Sequence, residues 1–180
     1  MDPGDLPLLG EALAVELTNT QYGEGETAFD FLGEPAWADV WLRAMDRPAV
    51  GYDELLALRD ATHAAVGALI AGVEPRKEVV RTLSALAQRG APQRHFRWRD
   101  DGPCIATTRR GPMSDRRLGA LATEVVEWLC TDETGALRRC DALDCTMVFV
   151  KQHHRRRWCH PSCGHRMRQA AYYRRQRSGS

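Results

Sequence analysis

The chain has 180 residues, 43% of them apolar and 27% charged, which allows one domain with a small appendage and an ordinary buried core. No apolar run approaches the roughly 18 residues of a membrane-spanning helix, and the acidic start Met1-Asp2-Pro3-Gly4-Asp5 does not read as a signal peptide. The chain is therefore expected in the cytoplasm, where thiols stay reduced and clustered cysteines favour a metal over disulfides.

Net charge is only +1, but it is segregated: residues 138–180 hold eleven Lys and Arg against Asp141 and Asp144, a local +9, while residues 1–137 carry −8. Four thiolates around a zinc ion would lower the tail to about +7. Such a division is the footprint of a polyanion-binding module on an acidic body, or of a basic tail folded against its own body.

In chain order, Leu9, Ala12, Leu13, Glu16 and Leu17 predict a helix over residues 9–20, with a strand as the alternative because Leu13-Val15-Leu17 alternates, and Asn19 and Thr20 cap or brace the turn that follows. Residues 21–33 read as a polar loop anchored by Phe29 and Phe31. Pro35 opens a second helix, with Trp37, Val40, Trp41, Ala44 and Met45 as its buried stripe. Asp53 is placed to cap a third helix, which carries His63 and ends at Gly72; a fourth runs from Pro75 to Arg89, with Val79, Val80, Leu83 and Leu86 inward. Phe96 and Trp98 then alternate with Arg97 and Arg99 before Asp100-Asp101-Gly102, which predicts one β-hairpin over residues 93–110. Ser114 is expected to cap a fifth helix, and Cys104 and Cys130 to behave as small buried hydrophobes. Gly135 ends this body, and residues 131–136 are too short for a flexible linker, so the remainder should dock on it or project at a fixed angle.

The last stretch carries the chemistry. Cys140 and Cys145 form one close pair, Cys159 and Cys163 another, with thirteen residues between the pairs. Two such pairs brought together by a hairpin can hold four thiolates tetrahedrally around one zinc ion, a closed structural site with no open position for catalysis. Met147–Val150 reads as a strand, Lys151–His154 as a turn and Arg155–Trp158 as the return strand. Ser162 is placed to cap a final helix bearing Cys163. The module is too small to bury much apolar surface, so the metal supplies folding energy around Phe149, Trp158 and Met167. Arg155, Arg156 and Arg157 form one basic cluster; Arg166, Arg168, Arg174, Arg175 and Arg177, with Tyr172 and His165, wrap the final helix. Arginine forks pair with phosphates and can read guanine, which makes these the expected nucleic-acid contacts.

Cys-x4-Cys, the Phe149-Val150 strand, Arg156-Arg157-Trp158-Cys159 and Cys163-Gly164-His165-Arg166 before a basic helix resemble the bacterial CGNR zinc finger. Leu13–Thr20, Trp41-Leu42 and Leu58-Arg59-Asp60-Ala61 resemble its usual companion, the ABATE domain, a family inferred to be stress-induced transcription regulators. The resemblance implies an ABATE-like helical domain over residues 1–136 and a CGNR-like finger over residues 137–180. His165 stands where the family name has asparagine, and the loop from Cys145 to Cys159 is shorter than usual; a partly protonated histidine there would make DNA binding pH-dependent.

The fold expected is mainly α: a multihelical N-terminal domain with one β-hairpin, plus a small zinc finger of knuckle, short β-hairpin and helix. The function expected is a zinc-containing DNA-binding transcriptional regulator, its acidic body sensing a small-molecule effector or forming a homodimer. The alternative is a zinc-stapled protein-interaction module without sequence-specific DNA binding. No phosphate-binding glycine loop, nucleophile elbow or open metal site points to an enzyme.

Overall fold

A computed structural model of the chain describes residues 8–23 and 28–178, the side chains of 177 and 178 excepted. Among these residues the fold is mainly helical, with six α-helices and three two-stranded antiparallel sheets. Helix α1 spans Leu13–Thr18 and α2 Pro35–Ala44; between them β1, Gln21–Tyr22, pairs with β2, Phe29–Asp30. Helices α3 (Tyr52–Ala71) and α4 (Lys77–Gln88) follow, then β3 (Pro92–Arg99) and β4 (Gly102–Arg109) as one long hairpin. Helix α5, Met113–Leu129, leads through a 3-10 turn at Asp132–Ala136 into β5 (Leu137–Arg139), β6 (Val148–Val150) and α6 (Pro161–Ser178).

Helix α1 is short because it is central. All six of its residues are buried. Leu13, Ala14 and Leu17 face the main core, among Leu32, Trp41, Leu58, Leu83, Leu118 and Val125. Val15 faces the other way, into a second cluster with Val66 of α3 and Leu137, Val148 and Val150 of the cysteine-bearing segment. Burying side chains of this size contributes about 1.5–3 kcal/mol each, so the β5–β6 hairpin is bound into the helical body rather than trailing from it.

Burying polar groups beside α1 requires partners for them. Glu16, 2% exposed, accepts hydrogen bonds from the backbone N–H of Leu9 (2.9 Å) and Glu11 (2.7 Å), fastening the incoming chain. Burial raises the pKa of its carboxyl above the ordinary value. Arg59 of α3, equally buried, bonds Asp30 at 2.6 Å and Asp60 at 2.9 Å, which ties β2 to α3. Asn19 makes the longest reach in sequence. Its side-chain N–H donates to the Val148 carbonyl (3.0 Å), and its carbonyl oxygen accepts from the Val148 N–H (2.8 Å). Its amide thus acts as one extra residue of sheet on the free edge of β6. It does more than brace a local turn.

Several sequence expectations are corrected in detail. Residues 21–22 and 29–30, read as loop, form the small β1–β2 pair. Asp53, Ser114 and Ser162 stand inside first turns rather than before them, because the helices begin at Tyr52, Met113 and Pro161. The α2 stripe is rotated to Ala38, Trp41 and Leu42, with Ala44 exposed, and Val80 of α4 faces solvent. Cys130 is exposed at the end of α5 and Cys104 half-buried in a ribbon, so neither is a core residue. The strand that pairs with β6 is Leu137–Arg139, not Arg155–Trp158. The short loop between the cysteines of the first pair lets the chain fold straight back on itself, and Arg155–Trp158 returns without forming a strand.

Removing the Asn19 amide strands a buried N–H and C=O on Val148, at about 1–3 kcal/mol per group. Asn19→Ala is therefore expected to lose about 2–6 kcal/mol of stability, whereas Gln21→Ala, whose amide bonds an exposed Asp30 oxygen, stays within about 0.5 kcal/mol. Thermal unfolding followed by circular dichroism compares the two; equal midpoints would remove the role given to Asn19.

Candidate metal centre

Four local devices bring the cysteines together. Strand β5 delivers Cys140, whose N–H donates to the Met147 carbonyl (2.9 Å) and closes the loop that carries the first pair. Asp144 adopts φ of 62°, in the left-handed region that Asp tolerates better than most residues. That turn, closed by the Cys145 N–H on the Ala142 carbonyl (3.3 Å), aims Cys145 back at Cys140. After β6 the chain returns through two contacts, the Asp141 N–H on the Arg157 carbonyl (3.0 Å) and the Cys159 N–H on Cys140 Sγ (3.4 Å). Cys163 then sits in the first turn of α6, its N–H on the His160 carbonyl (3.1 Å). The His160 ring completes this helix start, with Nδ1 2.8 Å from Ser162 Oγ and accepting the Ser162 N–H at 3.3 Å. His160 thus takes the capping place expected of Ser162.

The four sulfurs lie within 4.8 Å of one another. Cys145 and Cys159 are 3.7 Å apart, Cys159 and Cys163 3.7 Å, and Cys163 and Cys145 3.9 Å. A tetrahedral ion with bonds of about 2.3 Å to sulfur sets ligands about 3.8 Å from each other. The spacing therefore fits one such ion, and it is too long for any pair to be a disulfide. Electrostatics point the same way. Hydrogen bonding, above all from Cys159, draws the Cys145 thiol down to about 5. Its thiolate in turn pushes Cys159 far above the ordinary thiol range, and burial lifts Cys163 to about 11. One thiolate is comfortable in this cluster and further ones repel it; a divalent cation at the centre removes that conflict and leaves no ligand position open.

Around the sulfurs lies a small core of Ala142, Met147, Phe149, Trp158 and Met167. Trp158 lies flat against Gly164: a Cβ there would meet its ring at 2.8 Å. The glycine after the last cysteine is thus required by close approach of an indole. Arg157 and Arg168 hold their guanidinium groups 5.8 and 6.0 Å from the same ring, which draws the return segment and α6 into one basic surface.

The expected contact residues divide by environment. Arg155, Arg157, His165, Arg166, Arg168, Tyr172, Arg174 and Arg175 are exposed. Arg157 also pairs with Asp141 at 3.0 Å, and Arg166 donates to the Leu143 carbonyl at 3.0 Å. The side chain of Arg177 lies outside the described residues. Arg156 turns inward. Its guanidinium pairs with the almost fully buried Glu11 (2.8 Å), donates to the carbonyls of Val150 (3.1 Å) and Cys159 (2.9 Å), and stacks 4.5 Å over the Phe149 ring. Sequence pattern gave no means of separating it from its two neighbours. Two further cations, Arg138 and Arg139 of β5, are exposed beside the knuckle. Arg139 also edges a cavity of about 450 Å³ between body and finger, shared with Tyr22, Phe29, Asp30, His63 and Val148. Burial and the nearby Arg139 hold the His63 pKa below its usual value.

Among the described residues, no helix is long and apolar enough to cross a membrane. The chain matches two family models in succession. Residues 11–132 match the ABATE family, described as "Putative stress-induced transcription regulator", and residues 136–176 match the CGNR zinc finger. No curated protein matches the chain. The first match spans more than half of the chain and the second encloses all four clustered cysteines, so the chain belongs to the ABATE family and carries a CGNR zinc finger on its C-terminal side.

Proposed function

We propose that this protein is a zinc-containing transcriptional regulator of the cytoplasm, in which the finger contacts DNA and the acidic helical body serves ligand sensing or oligomerisation. The observation that carries the reading is the exposed basic surface formed by Arg155, Arg157, Arg166, Arg168, Arg174 and Arg175 on a finger whose four sulfurs fit one metal ion. Zinc suits four thiolates and, once bound, holds the knuckle, the return segment and α6 together. Arg155, Arg157 and the arginines of α6 engage phosphates and base edges, Tyr172 and His165 add hydrogen bonds, and Arg156 locks the finger to the body. Reading the body as a sensor draws on the cavity it shares with the finger, edged by Arg139 and His63.

One observation favours a second reading. Both Arg156 and Arg157 engage carboxylates of this same chain, as they would in a module made to dock on acidic protein surfaces. Salt dependence separates the two. If DNA is the partner, log affinity falls linearly with log salt, and each exposed phosphate-contacting arginine neutralised reduces the slope by about 0.9. Arg155→Gln and Arg175→Gln are expected to do so, while Arg156→Gln lowers thermal stability and leaves the slope alone. Affinity for duplex DNA that ignores both salt and these arginines would sink the DNA reading.

The metal has its own test. Purified protein is expected to hold one equivalent of zinc, with Cys104 and Cys130 reacting quickly with a thiol reagent while the cluster is protected. A strong chelator, or Cys140→Ser, should expose the remaining cluster thiols and abolish DNA binding. Rapid reaction of every cysteine in zinc-loaded protein would contradict the site.

A further inference from the structure

The β3–β4 ribbon is the least explained part of the body. Every residue of β3 is exposed. Cross-strand register puts Phe96 opposite Ile105 and Trp98 opposite Pro103, so these four side chains share one face. Three of them are largely bare: Phe96 is 75% exposed, Trp98 73% and Ile105 68%. A two-stranded hairpin with a bare apolar face is marginally stable, and it ordinarily needs a third strand or a packed face. Exposed aromatic and aliphatic side chains gathered in one patch mark a contact surface.

We propose that this face is a dimer interface, occupied by the same ribbon of a second copy of this chain, packed face to face and running antiparallel. The proposal rests on the oligomerisation half of the function assigned to the body. Charge along the ribbon identifies the occupant. On the apolar face the base carries Arg94 and Arg109, with Arg110 just beyond, whereas the tip is Asp100-Asp101; Arg97 and Arg99 alternate onto the opposite face. In a two-fold antiparallel pair each acidic tip meets the other copy's basic base, while Phe96 and Ile105 of each copy meet Trp98 and Pro103 of the other at the centre. A self-complementary patch of this kind is what an isologous contact requires. Duplex DNA fits less well, because a ribbon entering a groove would lead with its two aspartates into the phosphates. Area is adequate as well. Exposed aromatics offer on the order of 150–250 Å² each, so the two faces with their flanks approach the roughly 1,000 Å² of a specific contact.

Sedimentation equilibrium of the zinc-loaded full chain without DNA tests this. The expected species is a dimer at micromolar concentration. Trp98→Ser and Ile105→Thr should be monomers with unchanged far-ultraviolet circular dichroism. Replacing Asp100 and Asp101 with lysine should weaken the dimer by about tenfold or more, and adding Arg94→Glu and Arg109→Glu to that variant should restore it. A wild-type monomer throughout the range, or a dimer indifferent to Trp98→Ser, overturns the proposal. So does a monomer whose DNA affinity falls on Trp98→Ser, which would assign the ribbon to DNA. A Trp98-dependent dimer that binds no DNA supports the ribbon interface and overturns only the regulator reading.

Discussion

The structure depends on the pairing of Asn19 with Val148, two residues 129 positions apart that exchange both hydrogen bonds of a sheet residue. Asn19 ends α1, the helix buried on all sides, and Val148 begins the strand that follows the first cysteine pair. A side-chain amide can satisfy a strand edge only if the backbone on both sides is already held. Here Glu16 fastens the approach to α1, and the β5 ladder fastens β6 from its other edge. The body and the finger therefore fix each other's geometry. Their contact is a continuation of both cores, with Val15 and Val66 on one side and Leu137, Val148 and Val150 on the other.

Two sources of stability meet at that contact. The body carries a conventional core, and the finger a core of a few side chains around four sulfurs. Hydrophobic burial alone cannot hold so small a unit, and a bound ion alone cannot orient it relative to the body. Arg156 joins the two. It pairs with Glu11 from the body, stacks on Phe149 from the finger's core, and donates to the Cys159 carbonyl beside the ligand. A charged pair largely removed from solvent favours its formation only when the remaining donors are satisfied, and the Val150 and Cys159 carbonyls do this. One guanidinium thus touches a carboxylate of the body, the ring at the centre of the finger's core and the backbone of a clustered cysteine.

Much of this was legible in sequence, for identifiable reasons. Helical periodicity marked α2 to α5, since each buries one stripe; it erred by one position at Ala44 and Val80, where a neighbouring face was equally apolar. Cysteine spacing marked the ligand set, because thiolate chemistry constrains both the residue type and the loop length. Pairing of β5 with β6 was not legible. Arg155–Trp158 and Leu137–Arg139 are both short and basic, and only tertiary burial of Leu137 distinguishes them. The inward turn of Arg156 was hidden likewise, because its partner Glu11 lies at the far end of the chain. Asn19 looked like a local brace since nothing nearby announced Val148. Long-range polar pairs leave no period behind them, and the errors gather there.

The division of charge takes on a physical meaning in this frame. A basic module beside an acidic body would ordinarily collapse onto it, and with arginines on every side that collapse would hide the surface needed for a polyanion. Here the attachment includes one inward arginine on one buried carboxylate, the Gly23 N–H on Thr146 Oγ1 (2.8 Å), hydrophobic packing and the Asn19 amide. Arg155, Arg166, Arg168, Arg174 and Arg175 are left exposed to solvent. Trp158 lies against Gly164 and has Arg157 and Arg168 near its ring, which joins the return segment to the start of α6. Specific neutral contacts hold the finger in place, so its positive charge need not be neutralised by the body.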